Sequence, residues 1–508
     1  MSPAPELTSP KDICPPAVYR LLQVGQVAYF TAVQLLLFAA SPGMELDLAE
    51  QVWQSDRFAW VYGSQPPLYT WIVRCLWILT EGSLLPLYLL KAALLSLATG
   101  ALLSAGRRMG FSAIQLAGVL AGVFWLPTVL WEAQRDLSHS VLATACAAWL
   151  LRCLTIEPRR PWAEAFRNGA WLAAGTLSKY NFLLFALAWW WAQRPAAARH
   201  GTFARLSHLA AVGIGAVLVL PHLAAATREE SLLFESADKF EWGDGRWGTG
   251  LVDAAGAIAA MMVPVLGIWL AAGFPNPLSL ARRTCAGREL RPLLGLLTAA
   301  LALTLGLTAL SGVSEVRERW LWPIFFFTPL FAGAALAHLP RSAAMRYIVA
   351  GFAVALVVGI GLPARVVWAD AWGTHNRRNL PYPDLLRAIA SAAEPADFII
   401  ADSVLVAGSA RLAFPGARIF VYDRPHAGPP PRGSGLLIGR AEDRARLPFE
   451  RWLDRMDLEP GPRTIVSAPL YHSAKKTAAL WWSPVTIHTP LHFDDREDPR
   501  LQQGGVGS

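Results

Sequence analysis

Carboxylates crowd into one short stretch of an otherwise apolar sequence. Residues 44–71 read MELDLAEQVWQSDRFAWVYGSQPPLYTW and hold Glu45, Asp47, Glu50 and Asp56 against one base, Arg57. Asp47 and Glu50 stand three residues apart, so a helix places them on one face. There Asp47 is a candidate general base with Glu50 as its neighbour. The plainer reading is that Asp47 caps a helix over 48–55 and does nothing more. Carboxylates between apolar spans are costly in lipid and belong in a wet cavity at the membrane surface. Candidate cations recur further along: Arg135 beside Asp136, Lys179 before Tyr180 and Asn181, and Arg317 and Arg319 in the run SEVRERWLWP. A lysine suits a buried phosphate as a compact charge, and an arginine can hold one bidentately. Each has a bland alternative. Lys179 could be a loop lysine that sets topology. Residues 315–319 could be a solvated charge run, and Arg135 and Asp136 could pair with each other. His222 could simply end a helix, and Gln65 to Tyr69 could be an interfacial anchor rather than a sugar contact.

The elements that would position these groups are membrane spans. Over 508 residues the chain is 54% hydrophobic and only 16% charged, with 22 Trp and a mean hydropathy of +0.35. A soluble chain carries nearer a quarter charged residues, so most of this one sits in lipid. Apolar runs of crossing length fall at about 21–41, 84–104, 113–131, 137–153, 205–226, 251–272, 293–311, 320–338 and 345–366. The first lacks a cleavage pattern and is expected to remain as a signal anchor. Residues 64–80, with two prolines and Arg74, read as an interfacial helix.

The stretch 162–196 is either one span or two short helices turning at Ser178 to Asn181, and loop charge decides. With two helices there are 11 spans, and alternate loops hold fifteen Lys/Arg against three acids, the others nine against fifteen. That is the positive-inside pattern, with the N-terminus cytoplasmic and the first loop, 42–83, outside. The net charge of +8 therefore reflects topology, and no nucleic-acid partner is implied. Each arm of the hairpin has only about 17 residues, so Lys179 at its apex is expected in a protein cavity below the outer surface. Asp47, Glu50, Arg135, Asp136, Lys179, His222, Arg317 and Arg319 then all reach the outer face. Carboxylates and cations converging there are what a polar pocket over a lipid phosphate needs.

After Pro363 the pattern changes. Buried strands are expected at 398–402, 418–423, 435–439 and 464–468, helices at 382–394 and 447–456, and a loop at 424–434. Residues 1–366 thus form a transmembrane domain and 367–508 a small α/β domain, placed outside by the odd number of spans. Cys14, Cys75, Cys146, Cys153 and Cys285 have no disulfide or zinc spacing. Nucleotide-binding and hydrolase glycine motifs are absent as well.

The first loop resembles that of the dolichyl-phosphate-mannose–protein mannosyltransferase-like families. These are polytopic GT-C glycosyltransferases that include the bacterial lipid A aminoarabinose transferases. Their loop commonly reads Asp-Glu-Ala, then Gly-Tyr, then (His)-Pro-Pro-Leu. Asp47 and Ala49 match its start and Gln65-Pro66-Pro67-Leu68-Tyr69 its end, while Leu48 replaces the second acid and Gln65 the His. In sequence the likeness is specific over 44–71, 176–182 and 312–323. It implies a GT-C-like polytopic α-helical fold with an extracytoplasmic C-terminal α/β domain. The activity implied is inverting transfer of a sugar from a polyprenyl-phosphate donor to an envelope acceptor: lipid A, a lipid-linked glycan, a polysaccharide or a protein. Asp47, with Glu50, is then catalytic. Lys179, Arg317 and Arg319 hold the donor phosphate, and Gln65, Tyr69, Arg135, Asp136, Tyr180, Asn181 and His222 line the substrate site. Asp47 and Glu50 could also supply oxygen ligands to a divalent cation, although nothing has metal-specific spacing. The competing readings are a lipid-glycan flippase, or an assembly subunit without chemistry. Polar groups on one side only and the absence of a repeat count against a flippase.

Overall fold

The computed structural model describes residues 14–154, 160–199, 201–228, 247–273, 276–424 and 431–488. Residues 229–246 of the charged loop 227–250, and 425–430 of the loop 424–434, lie outside the described residues. The chain divides into two compact units. The first comprises residues 1–36, 65–69 and 85–362; the second comprises 37–64, 70–84 and 363–508.

The first unit is helical. Five described helices are long and apolar enough to cross a membrane, and the number rises to eight if each of three bent pairs is one crossing. Those bends fall inside the expected spans 113–131, 251–272 and 320–338, with angles of 68°, 56° and 59°. The physical cause is proline. Pro127, Pro264 and Pro329 stand at or just after the breaks, where the ring removes a donor and clashes with the preceding turn. Hydropathy averages over a proline, so the sequence shows a straight span where the chain breaks.

Ser138–Leu154 forms the centre of this unit. Val141, Ala143, Ala145, Cys146, Ala147, Ala148, Leu150 and Leu151 are all almost fully buried. Its small residues admit close neighbours, and it packs against Leu85–Arg108, Pro161–Thr176, Phe182–Arg199 and Glu318–Phe325. The stretch 162–196 is two helices, Pro161–Thr176 and Phe182–Arg199. Gly175 permits the tight reversal: a Cβ there would stand 2.2 Å from the Phe182 ring. The first arm has 16 residues and rises roughly 24 Å, short of a hydrocarbon core of roughly 30 Å.

The second unit contains a mixed five-stranded sheet in the order β2-β1-β3-β5-β4. Its strands are β1 (Phe398–Ala401), β2 (Arg418–Val421), β3 (Gly433–Arg440), β4 (Thr464–Pro469) and β5 (Thr477–Ile487). β1 pairs in parallel with β2 and β3, while β5 lies antiparallel between β3 and β4. The first four strands fall where alternating and continuous apolar runs place them. β5 escapes that reading because Pro484, opposite Leu436, interrupts a long strand inside the sheet. The helix Val404–Ala413 is a second element without a sequence expectation. Phe420, Leu437, Phe449, Trp452 and Trp481 form the core on one side of the sheet.

Apart from residues 65–69, the first loop folds within this second unit. Its helix Leu46–Gln54 packs on Val404–Ala413. Contact is so close that a Cβ on Gly408 would stand 2.4 Å from the Ala49 carbonyl oxygen. Buried Arg378 donates to the carbonyls of Leu37 and Ser41, and the Trp53 indole donates to the Ile419 carbonyl at 2.8 Å.

Candidate functional site

In the first unit, three segments meet through polar contacts. The helix containing Arg135 ends at Asp136, and Leu137 adopts a left-handed backbone at φ 63°. A non-glycine residue there is strained, so packing must hold the reversal in place. The reversal presents Asp136, Ser138, His139 and Ser140, all buried. Lys91, also buried, donates from Nζ to the Asp136 carbonyl at 2.8 Å. Lys179 donates from Nζ to Ser140 Oγ, and His139 Nδ1 lies 3.2 Å from the Ser178 carbonyl. The segment Gln65 to Tyr69 joins them. Pro66 and Pro67 fix its backbone, the Leu68 amide donates to the Leu177 carbonyl at 2.9 Å, and the Tyr69 ring lies 5.4 Å from that of His139. Gln65 itself is half-buried at the start of this segment.

The hairpin apex reaches two more partners. Tyr180 Oη lies 3.1 Å from His222 Nε2, with the rings stacked. Asn181 donates from Nδ2 to the Trp320 carbonyl. Tyr69, Asp136, the apex residues Lys179 to Asn181, and His222, from four separate stretches of sequence, are therefore bound into one network. Two lysine ammoniums, Lys91 and Lys179, flank the turn at Asp136 to Ser140. An ammonium at such a turn is a suitable receptor for a phosphate.

Other expectations change. The Arg135 guanidinium faces Glu132, one helical turn earlier, at 3.6 Å. Arg317 stands half exposed at the start of the helix Glu318–Phe325 and grips Glu315 with two bonds of 2.6 and 3.0 Å. That pair holds the Glu315 carboxyl below its ordinary value, and Arg319 lies within electrostatic reach of the same carboxyl. The run 315–319 is in this respect a self-neutralising surface pair. Lys91, His139 and Ser140 had no place in the sequence expectations. Lys91 was legible, as the sole charged residue between Leu85 and Gly106, where such a residue is a functional candidate by default. His139 and Ser140 carry no periodic signal of their own.

In the second unit, Asp47 lies in the first turn of Leu46–Gln54, not at its cap. The cap position belongs to Glu45, which forms a buried ion pair with Arg365 at 3.1 Å. Asp47 and Glu50 are both half-buried, one turn apart. The neighbouring Gln51 side chain accepts from Thr70 at 2.8 Å and helps to fix the helix. No cluster of three or more His, Cys, Asp or Glu side chains able to hold a metal ion occurs among the described residues.

The sequence matches the lipopolysaccharide core galacturonosyltransferase RgtA of Rhizobium johnstonii at 31% identity, over 82% of this chain and 86% of the relative. The chain belongs to the glycosyltransferase family of RgtA. RgtB of the same organism is 29% identical to this glycosyltransferase, over 79% of the chain and 83% of the relative. No protein-family model matches the sequence. ArnT from Cupriavidus metallidurans, solved bound to undecaprenyl phosphate, superposes with a TM-score of 0.60 at 13% identity, over 92% of this chain and 98% of that one. The mycobacterial arabinofuranosyltransferase AftD superposes at 0.53 with 15% identity, over 93% of this chain and 40% of AftD. The fold of this glycosyltransferase is thus shared with ArnT, and its kinship with the glycosyltransferase RgtA removes the reading as a flippase or a subunit without chemistry.

Proposed function

We propose that this glycosyltransferase moves galacturonic acid from a polyprenyl-phosphate carrier to the core of lipopolysaccharide, at the outer face of the inner membrane. The observation that carries the reading is its 31% identity to RgtA, over 86% of that relative. The carrier is supported by the shared fold with ArnT, which was solved with undecaprenyl phosphate. The face is supported by the loop charges, whose positive-inside pattern favours an outside first loop.

The acceptor hydroxyl oxygen attacks the anomeric carbon while Asp47, with Glu50 beside it, takes the hydroxyl proton. The bond from that carbon to the phosphate oxygen breaks, and the polyprenyl phosphate departs with the electron pair. Negative charge then concentrates on the leaving phosphate, where an ammonium stabilises it most. Lys179 supplies that charge, with Lys91 and the turn at Asp136 to Ser140 fixing its surroundings. Tyr69, Tyr180, Asn181 and His222 shape the donor side, and Gln65 stands at its edge. Arg319 contributes positive potential around it, while the charges of Arg135 and Arg317 are offset by Glu132 and Glu315. Attack opposite the leaving group inverts the anomeric configuration.

The test is mass spectrometry of carrier lipids and lipopolysaccharide from a deletion strain, complemented at equal protein level. The expected result is a polyprenyl-phosphate uronic acid that accumulates and a core that lacks one uronic acid, restored by wild type but not by Asp47→Asn. An unchanged core in the deletion strain would overturn the reading.

A further inference from the structure

The second unit draws four arginines from four separate segments. Arg57 lies in the loop after Leu46–Gln54, Arg74 on the helix Leu68–Leu79, Arg411 near the end of Val404–Ala413, and Arg418 at the start of β2. Arg411 and Arg418 both feel the charge of Asp56; Arg411 also feels Arg74, and Arg418 also feels Arg57. Even with Asp56 and the nearby Glu81 counted, positive charge is in excess. Three buried guanidinium nitrogens, Arg57 Nη2, Arg74 Nε and Arg411 Nε, have no hydrogen-bond partner among the described residues. A buried charged donor left unpaired costs more than the ~1–3 kcal/mol of a neutral one, so three together point to an absent acceptor. Burial also pulls the Arg411 guanidinium below its ordinary value.

The surroundings are held rigidly. Arg74 donates from Nη1 to the Ser55 carbonyl at 3.1 Å. Tyr62 donates to the Arg57 carbonyl at 2.6 Å, and the Trp71 indole to the Ala59 carbonyl at 2.7 Å. Beside Arg411 opens a cavity of about 240 Å³ whose lining includes Trp77, Ile78, Glu81, Gly82 and Leu412. That is room for roughly eight waters. Trp77 follows Arg74 by one helical turn, so the indole and the guanidinium share a face. Glu81 is held in the cavity wall by a left-handed backbone at φ 50°. Its carboxylate repels an anion but accepts from hydroxyls, which suits a sugar next to the anion.

We propose that these arginines hold a phosphate or carboxylate on the acceptor saccharide, while the cavity over Trp77 takes the sugar that carries it. The identification of that saccharide with the lipopolysaccharide core rests on the function proposed above. A phospholipid headgroup offers the same phosphate chemistry, but it would leave the cavity and Glu81 without hydroxyl partners.

The experiment titrates the full-length enzyme in detergent with delipidated core oligosaccharide and with the same oligosaccharide after dephosphorylation and carboxyl reduction. Wild type is expected to bind the anionic form at least about tenfold more tightly, the size of one charge-assisted bond. Arg411→Gln and Arg74→Gln are expected to lose that preference, and Arg411→Lys to retain part of it. In transfer assays the same variants raise the acceptor KM about tenfold and leave the donor KM within about twofold. Equal binding of both oligosaccharides by wild type, or equal preference in the Gln variants, overturns the proposal. So does a Gln phenotype confined to stabilisation by phosphatidylglycerol nanodiscs, which would assign the arginines to the bilayer. A wild type that binds the anionic oligosaccharide yet transfers nothing to it would sink the proposed function and leave this site standing.

Discussion

Glu45 and Arg365, 320 residues apart in the chain, form an ion pair at 3.1 Å with the Glu45 side chain only 3% exposed. The pair joins the start of the first loop to the end of the helix Arg341–Val367, within the second unit. It fixes the helix that carries Asp47 two residues later.

Breaking this pair should therefore be costly. Glu45→Ala or Arg365→Ala leaves a buried charge without compensation and should destabilise the protein by about 3–5 kcal/mol. The double change Glu45→Leu with Arg365→Met should recover most of that loss, because no charge is stranded. Thermal unfolding in detergent, followed by tryptophan fluorescence, reads both. Single variants as stable as wild type would show that the pair is dispensable.

Lys179 and Ser140 predict a graded effect on the donor side. Lys179→Ala should lower kcat/KM by a factor of about 100 to 1,000, the usual loss of one preorganised charge. Ser140→Ala removes only the hydroxyl that orients the ammonium and should cost about tenfold. Lys91→Met should fall between them. Single-turnover rates with a synthetic polyprenyl-phosphate sugar measure all three. A Ser140→Ala loss equal to that of Lys179→Ala would give the serine a role of its own.

Tyr62 should make the second unit sensitive to alkali. Burial pushes its hydroxyl from the ordinary value near 10 up to about 12. The neutral phenol is favoured by the folded state, so its contribution is fully present below about pH 10 and is lost as pH rises towards 12. Tyr62→Phe should flatten the stability curve in that window, while costing the bond to Arg57 throughout. Urea midpoints between pH 8 and 11.5 decide it, and parallel curves for the two proteins would remove Tyr62 from the account.

Asp370 makes the opposite prediction in acid. The Ala474 amide and the Ser473 hydroxyl, with His375 behind them, hold its carboxyl below the ordinary value. The contribution is present above about pH 4 and disappears as pH falls through the lowered folded value. Asp370→Asn should abolish this dependence. Amide exchange at residues 471–476 between pH 3 and 6 would report it, and unchanged protection in the variant would count against the contact.

Gly408 tests the packing that seats the first loop. Gly408→Ala puts a methyl group into the Ala49 backbone, and two helix backbones cannot part without loss of contact. The variant should lose about 1–3 kcal/mol, as overpacked cores do, with activity falling alongside because Asp47 rides on the displaced helix. Full activity in a folded variant would detach catalysis from the seating of that helix.

The sequence by itself determined what depends on neighbouring residues. Apolar runs gave the membrane class, and loop charge separated the hairpin arms around Lys179. Period and composition placed four of the five strands, and the Gln65-Pro66-Pro67-Leu68-Tyr69 motif pointed to the family. These features are local, so a window of about twenty residues contains their cause. Tertiary structure alone decided what depends on residues far apart. It broke three apparent spans at prolines that hydropathy averages away, and it paired β5 through Pro484. It also turned Arg135 to Glu132, tied Lys179 to Ser140, and brought Arg411 to Arg57 and Arg74, which precede it by more than three hundred residues. A charge gains or loses its partner through space, and spacing along the chain does not encode that distance.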